Sequence, residues 1–342
     1  MLTPKERLAN VIHRQKVDRP PCICPGGMMN MITSQLLESL NFSEMEQVHT
    51  DPEKMAQLAS GVYEQHCFEN YGVPFCMTVE AEALGAKVNY GTIIYEPHVV
   101  KYVIDSVEEY QTLSHIDCSK GRVKTVLDAI SILKEKGTDV PIIGNLTGPI
   151  STASSIIEPV IFYKELRKKN KAAHEYMNFI TQQLIVFGRE EIAHGADMIA
   201  ISDPSGTGEI LGPKFFEEFA VTYINQLLDG LQAEKTGTIV HICGQMHSVY
   251  EQIAKVHSDV LSFDSIVPMK EAKEKLPNRL IMGNVSTYTV EFGDPQKVSE
   301  LTKYCLKNGS DIIAPACGLG MKSPLTNVQA MLAGLKEEYD NV

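Results

Sequence analysis

The sequence has no long apolar run. No stretch approaches the ~20 consecutive apolar residues that a membrane-spanning helix needs. The segment from Met1 to Arg7 is largely polar, unlike the apolar core of a secretory signal peptide. We therefore expect a cytoplasmic protein that makes no membrane contact.

Positive charge is also scarce. Lysine and arginine together number 31 against 43 aspartates and glutamates, which gives a net charge of -12. A nucleic-acid surface needs clustered basic side chains. We therefore expect no nucleic-acid partner, and a ligand that is a small molecule or another protein.

Cysteine, in contrast, occurs eight times in the chain, at positions 22, 24, 67, 76, 118, 243, 305 and 317. In a reducing cytosol these thiols stay free and can bind a metal instead of forming disulfides. Cys22 and Cys24 lie two apart in an apolar run with no histidine nearby, which is typical of core packing.

Eight strand-like runs recur along the chain, and most are separated by amphipathic helical patterns. Continuous apolar strands that alternate with helices indicate a parallel sheet covered by helices, and eight such units predict a closed (β/α)8 TIM barrel. A doubly wound sheet is the alternative. No composition break marks a boundary, so residues 1–342 are expected to form one domain. The runs are Pro21 to Cys24, Pro74 to Val79, Val140 to Leu146, Asp197 to Ser202, Thr238 to Cys243, Val260 to Asp264, Leu280 to Val285 and Asp311 to Ala316.

Two segments are predicted to lie outside this alternation. Pro4 to Val17 has apolar residues at helical spacing, with Thr3 as a candidate cap, so it predicts an N-terminal helix outside the barrel. Ala86 to Asp105, after the second strand, holds short β-rich pieces and predicts a β-hairpin excursion over the barrel mouth. Within the alternation, the amphipathic helical patterns between strands include Tyr176 to His194 and Phe215 to Ala233.

Three soft metal ligands stand at the ends of two predicted strands. His241 and Cys243 are two apart on one strand and so point to one face, and Cys317 ends the eighth. Three protein ligands are typical of catalytic zinc sites, which keep a fourth position for water or substrate. Taken alone, each residue is more typical of burial in the core than of metal binding. Gly244 and Gly318, which let the chain turn directly after the ligands, favour a metal site.

Other polar residues also follow strands. Asp203 is a candidate for orienting a ligand or substrate, although helix capping explains this region equally well. Asn145 and Asn284 are candidates for donating hydrogen bonds to a substrate, or for stabilising turns. In a (β/α)8 barrel the active site lies at these carboxyl ends of the strands.

Several of these motifs together resemble the uroporphyrinogen decarboxylase superfamily, and within it the methylcobamide:coenzyme M methyltransferase branch. The resemblance runs essentially from end to end. It implies a (β/α)8 barrel in which His241, Cys243 and Cys317 bind zinc. The motifs are Asp18-Arg19-Pro20-Pro21, the run from Gly144 to Pro149, the run from Asp203 to Pro213, His241-Ile242-Cys243-Gly244, Met282-Gly283-Asn284-Val285 and Cys317-Gly318.

The decarboxylases themselves are the nearest alternative within this superfamily. They bind a polycarboxylate tetrapyrrole through arginines near the N-terminus, whereas the corresponding stretch from Cys24 to Met31 has none. Gly26, Gly27 and Met28 in that stretch suit contact with an apolar corrin face, and Asn284 is a further candidate contact. A third possibility is a noncatalytic module that binds a corrinoid protein and has structural zinc.

The resemblance thus implies methyl transfer between a corrinoid (methylcobamide), carried by a partner protein, and a small acceptor. A zinc ion would hold an acceptor thiol such as coenzyme M as its thiolate. Tetrahydrofolate is the alternative acceptor. Related zinc enzymes often have an acidic fourth ligand, but here Ser265 stands at the expected place and Asp264 beside it. The fourth position at rest is therefore expected to hold water or Asp264.

Overall fold

The computed structural model describes residues 1–231 and 237–340. Six strands form one parallel sheet, and two form a separate antiparallel pair, β2 and β3. In the six-stranded sheet, β1 pairs with β4, and each strand from β4 to β7 pairs with the next. The strands are β1 Tyr71–Val73, β2 Lys87–Asn89, β3 His98–Lys101, β4 Ile142–Thr147, β5 Met198–Ser202, β6 Gly237–Ile242, β7 Val260–Phe263 and β8 Leu280–Met282.

Two further extended segments connect the edges of this sheet. Met282 of β8 bridges to Ile312, and Ile313 bridges in parallel to Cys22. The carbonyl of Cys22 in turn accepts a hydrogen bond of 2.8 Å from the backbone N–H of Glu69, just before β1. The eight segments therefore form a closed cycle, and the predicted (β/α)8 barrel is confirmed.

One of the eight predicted strands was misplaced. The run Pro74 to Val79 was expected to be the second strand, but β1 ends at Val73, and Val79–Ala83 is a helix. Pro74 has no backbone N–H to donate to a sheet, so the ladder stops before it. The strand was missed because it has only three residues and its centre is Gly72.

Helices surround the barrel between most strands. They are α1 Pro4–Ile12, α2 Ser34–Ser39, α3 Met45–Thr50, α4 Pro52–Glu64, α5 Val79–Ala83, α6 Gly121–Glu135, α7 Pro149–Ile156, α8 Pro159–Lys168, α9 Asn170–His194, α10 Gly208–Phe215, α11 Thr222–Leu231, α12 Tyr250–Ile253, α13 Met269–Lys275, α14 Thr287–Phe292, α15 Pro295–Lys307 and α16 Leu325–Asp340, with a 3-10 turn at Val107–Thr112 and a π turn at Phe216–Val221. No helix among the described residues is long and apolar enough to cross a membrane.

The predicted helices differ from the observed ones mainly at their ends. Tyr176 to His194 lies inside α9, which begins earlier. The run from Phe215 covers the end of α10, the π turn and α11, and its last two residues lie outside the described part of the chain. The N-terminal helix stops at Ile12 instead of Val17, because Arg14 has a positive φ of 55° that an α-helix does not allow.

The N-terminal helix is attached to the barrel by a buried ion-pair network. Thr3 caps α1 in a capping box with Glu6, as expected. The Glu69 carboxylate accepts hydrogen bonds from Arg7 at 3.0 Å and from Arg19 at 2.7 Å. It also accepts the backbone N–H of Cys22 at 3.0 Å. Glu69 therefore joins α1, the first barrel segment and β1.

The predicted hairpin is present and lies at the carboxyl ends of the strands. Its strands β2 and β3 pair antiparallel. The loop between them is tied to the barrel, since Ser34 donates to the carbonyl of Ile93 at 2.7 Å and Asn30 donates to Glu96 at 3.2 Å. The hairpin therefore forms part of the wall around the barrel mouth.

Candidate metal centre

The three predicted metal ligands come together at the barrel mouth. His241 Nε2 lies 3.2 Å from Cys243 Sγ, and Cys243 Sγ lies 3.9 Å from Cys317 Sγ. All three ligand atoms lie within 4.8 Å of one another. His241 is inside β6, Cys243 directly follows it, and Cys317 follows the segment that pairs with β8. The barrel closure thus joins residues that are 74 apart in sequence.

The orientation of the His241 ring is set by the neighbouring strand. Ser202, His241 and Ser262 are register partners on β5, β6 and β7 and so form one row. The Nδ1 atom of His241 lies 3.0 Å from the Ser262 hydroxyl oxygen. This contact directs Nε2 toward the two sulfur atoms. A hydrogen bond at the second ring nitrogen is the usual way in which proteins orient a metal-binding histidine.

The spacing and the donor types both fit a zinc ion. Around tetrahedral zinc, ligand atoms lie about 3.5 to 3.8 Å apart, given bonds of about 2.3 Å to sulfur and about 2.0 Å to nitrogen. The observed separations are close to these values. Among the described residues this is the one group of three or more such side chains that could hold a metal. Its three ligands leave a position for a fourth.

The contact between the two cysteines shifts the pKa values of their thiols in opposite directions. The contact with the Cys243 thiol, together with the nearby His241, lowers the pKa of Cys317. The same contact, together with burial, raises the pKa of Cys243. Both side chains are half-buried. The site thus already favours one thiolate, which is the form of cysteine that binds metals.

The Gly26 to Met28 loop forms one side of the centre. Met28 Sδ lies 4.0 Å from Cys243 Sγ. Gly27 and Met28 also line a cavity of about 310 Å³ that extends to Cys76 and Thr78. Gly318 lies so close that a Cβ atom there would come within 2.5 Å of the Met28 carbonyl oxygen. The loop therefore connects the metal ligands to the cavity.

Asn145 holds this loop in place from the end of β4. Its Nδ2 donates to the carbonyl of Pro25 at 2.7 Å and to that of Val73 at 3.0 Å. Gly26 and Gly27 have φ values of 103° and 61°, and a Cβ atom on either would lie within about 3 Å of the Asn145 side chain. Asn145 therefore contacts the loop that borders the cavity.

Residues 3–337 match the uroporphyrinogen decarboxylase (URO-D) family. The chain belongs to the uroporphyrinogen decarboxylase family.

Within this family the chain is similar to methylcobamide:CoM methyltransferases. MtbA of Methanosarcina acetivorans is 32% identical over 332 residues, which cover 96% of each chain. MtaA of Methanosarcina barkeri is 30% identical over 341 residues, or 98% of each chain. A solved methyltransferase from Methanosarcina mazei has a TM-score of 0.91 at 29% identity and covers 99% of this chain and 100% of its own. The family and branch expected from the motifs are confirmed.

Two other candidate residues of this family member make hydrogen bonds within the protein. The buried Asp203 carboxylate accepts the backbone N–H groups of Ile150 at 3.2 Å and Ser151 at 2.8 Å, at the start of α7. Burial raises the pKa of Asp203. Asn284 donates to the carbonyls of Asp264 and Val267, both at 2.8 Å. The Asn284 contacts correspond to the turn-stabilising alternative, and the helix cap expected after Asp203 is made by Thr207, whose hydroxyl accepts the backbone N–H of Ile210 at 3.3 Å in α10. A contact of Asp203 or Asn284 with substrate stays a prediction.

Asp264 lies near the metal ligands but outside their group. Its Oδ1 accepts the backbone N–H of Ile266 at 3.0 Å and the hydroxyl of Ser265 at 3.2 Å. After the hydrogen bond with Cys317 and burial, the charge of Asp264 is a further reason why the pKa of Cys243 is raised. The charge of the carboxylate therefore acts on Cys243, and its role as fourth ligand stays a prediction.

Two functional candidates were missed in the sequence. Ser262 interrupts the otherwise apolar strand β7, and that polar residue was a usable signal. Glu96 lies on the hairpin loop and lines the cavity, although much of the residue is exposed. Burial of its carboxyl raises the pKa of Glu96, and the charge of Cys317 adds to this. No local pattern indicated that the hairpin would bring a carboxyl group to the cavity.

Proposed function

We propose that the protein is a zinc-dependent methyltransferase that moves a methyl group between a methylated corrinoid protein and a small thiol, most simply coenzyme M. The observation that carries this proposal is the group of His241, Cys243 and Cys317, which has three ligands and adjoins a cavity. Similarity to methylcobamide:CoM methyltransferases along nearly the whole chain supports it.

Each residue of the centre has a distinct task in this reaction. His241, Cys243 and Cys317 would hold the zinc ion, and Ser262 keeps the imidazole in the orientation that directs Nε2 to the metal. When bound, zinc supplies Lewis acidity that favours the thiolate form of an acceptor thiol. Met28 covers one side of the ligands with an apolar thioether, which excludes water from the reacting atoms.

The size of the cavity supports a small acceptor and a corrinoid that stays on its own protein. A volume near 310 Å³ lies at the lower end of the range for small-molecule pockets. It holds a compact thiol easily but not a whole corrinoid. The corrinoid must therefore approach the barrel mouth from outside, where Gly26, Gly27 and Met28 are candidate contacts.

The decarboxylase alternative fits the cavity poorly. Among the described residues that line it there is no lysine or arginine, and the Cys24 to Met31 stretch has none either. A tetrapyrrole with several carboxylates would be desolvated there without cationic partners, which is costly. The metal ligands would also have no task in a metal-free decarboxylation.

Mixing the purified protein with methylcobalamin and one acceptor at a time tests the proposal. We expect bound zinc, and cob(I)alamin formation with coenzyme M that is faster than with tetrahydrofolate. Cys243→Ala should lose both zinc and activity, whereas Cys118→Ala, a half-exposed cysteine outside the centre, should keep both. A zinc-free protein, or full activity of Cys243→Ala, would contradict the zinc mechanism.

The same assay addresses the remaining alternatives. Reaction with tetrahydrofolate alone would replace the thiol as acceptor while leaving the corrinoid chemistry in place. A zinc ion that binds to four protein ligands and is insensitive to added thiol would indicate a noncatalytic module with structural zinc.

A further inference from the structure

A second group of reactive side chains borders the cavity away from the metal ligands. Its centre is Cys76, which lines the cavity together with Met28 and Thr78. Arg122 Nη1 lies 3.3 Å from Cys76 Sγ, and the Thr78 hydroxyl oxygen lies 3.4 Å from it. Arg122 also donates to Thr78 at 2.9 Å. Cys76 is thus held between a guanidinium and a hydroxyl at the edge of a space that small molecules can enter.

The charged surroundings of Cys76 favour its thiolate. Burial alone would raise the pKa of this thiol, but the charge of Arg122 and the interactions with His49 and Thr78 lower it to about 5. His49 is buried, and neither of its ring nitrogens has a hydrogen-bond partner among the described residues. The titratable groups that face this cluster are Arg122, His49, Glu80, Glu82 and Glu96.

The other cysteines outside the metal centre have the opposite tendency. Burial raises the pKa of Cys67 to about 12 and that of the half-exposed Cys118 to about 11. Burial also raises the pKa of the remaining three, Cys22, Cys24 and Cys305. None of these five borders the cavity. Cys76 therefore differs from them both in its position and in its ionic partner.

We propose that Cys76 is a modification site, a nucleophilic thiol that captures small disulfides entering the cavity and forms a reversible mixed disulfide. The Cys76 thiolate attacks one sulfur of the disulfide, a new S–S bond forms, and the original S–S bond breaks. The departing thiolate takes a proton from solvent. The incoming disulfide is the oxidant, and a dithiol reductant reverses the step.

The position of the mixed disulfide gives it a regulatory effect, and this part rests on the proposed methyl transfer. Met28 contacts Cys243 Sγ at 4.0 Å and also lines the cavity that Cys76 borders. A group attached to Cys76 would fill space in the same cavity of about 310 Å³. It would therefore keep the acceptor thiol from the metal centre under oxidising conditions.

The rate of mixed-disulfide formation tests the capture step. The protein, supplied with zinc, is treated at pH 7 with bis(2-hydroxyethyl) disulfide, and each modified cysteine is quantified by peptide mass spectrometry. Cys118 is the internal reference, because it is more exposed than Cys76. At pH 7 a much smaller fraction of Cys118 than of Cys76 is thiolate, although the Cys118 thiolate is intrinsically the more reactive of the two. The difference in thiolate fraction is the larger effect, so we expect Cys76 to react roughly twentyfold faster than Cys118. A Cys76 rate equal to or below that of Cys118 would overturn the proposal.

Two variants separate the electrostatic cause from simple access. Arg122→Gln should slow modification of Cys76 by about tenfold or more, since it removes the adjacent charge. Thr78→Val is the milder change if the first variant folds poorly, and it should slow the reaction by a smaller factor. Unchanged Cys76 rates in both folded variants would refute the role of the cluster.

An activity measurement then tests the regulatory effect. Modified wild-type protein should lose methyl transfer and regain it with dithiothreitol, whereas the activity of Cys76→Ser, whatever its level, should be the same with and without the disulfide. Full activity of protein that is modified at Cys76 would overturn the blocking effect. If unmodified protein lacks methyl transfer altogether, the proposed function fails, whereas the labelling rates still decide whether Cys76 captures disulfides.

Discussion

The imidazole Nδ1 of His241 lies 3.0 Å from the hydroxyl oxygen of Ser262, its register partner on the adjacent strand. Both residues are fully or almost fully buried, so water does not replace this contact when it is lost. The contact determines which ring nitrogen faces Cys243. A serine on one strand therefore orients a metal ligand on the next.

Ser262→Ala should weaken zinc binding without unfolding the barrel. Loss of a hydrogen bond that orients a metal-binding histidine typically costs 10- to 100-fold in metal affinity, so we expect a loss of about that size. Competition with a chromophoric chelator measures it. Ser202→Ala is the matched control, because Ser202 is the register partner of His241 on the other side. Equal zinc affinities of the two variants would contradict the assigned role of Ser262.

Asn145→Ala should impair catalysis while sparing the metal. The change removes the hydrogen bonds that fix the Pro25 and Val73 carbonyls beside the Gly26 to Met28 loop. We expect a normal zinc content and a fall in kcat/KM for the thiol of roughly tenfold, which corresponds to about 1.4 kcal/mol. Asn178→Ala, on the exposed face of α9, is the control. Loss of zinc from Asn145→Ala would show that Asn145 supports the metal ligands themselves.

Glu191→Gln should stabilise the protein at alkaline pH. Glu191 is completely buried against β4, and neither carboxyl oxygen has a hydrogen-bond partner of ordinary geometry among the described residues. Burial, together with the charge of Glu80, raises the pKa of Glu191 well above 4.5. At pH values above 4.5, Glu191 loses its proton in the unfolded chain but keeps it in the folded protein. Unfolding therefore releases a proton, and the contribution of Glu191 to stability declines as pH rises.

Urea unfolding at several pH values measures this effect. The variant should gain about 1 to 3 kcal/mol in unfolding free energy relative to wild type at pH 8, and less near pH 4. Glu251→Gln, at an exposed position of α12, is the matched control. A pH-independent difference between Glu191→Gln and wild type would contradict a buried proton on Glu191.

The sequence was informative where the signals are local. His241 and Cys243 lie on one strand, each predicted ligand-bearing segment is followed by glycine, and eight alternating units predict a barrel. A closed parallel barrel places such strand ends around one mouth, which is why Cys317 could be grouped with two residues far away in the chain. The metal centre could thus be predicted from patterns that span only a few residues.

Side-chain contacts that depend on strand register or on the placement of a loop could not be predicted from the sequence. Ser262 reaches His241 only because β6 and β7 pair with a particular register. Arg122 reaches Cys76 across 46 residues, from a helix on the outside of the barrel. Capping of α7 by Asp203 likewise depends on the closeness of β4 and β5. No sequence period or motif records such long-range contacts.

Zinc K-edge X-ray absorption, with and without coenzyme M, tests the central claim most directly. We predict that the resting protein has two sulfur ligands at about 2.3 Å and one imidazole nitrogen at about 2.0 Å, with a light atom as fourth ligand. Added coenzyme M should raise the sulfur count from two to three. A sulfur count that stays at two with saturating thiol, or the absence of bound zinc, would contradict the account of His241, Cys243 and Cys317 as a thiol-activating centre.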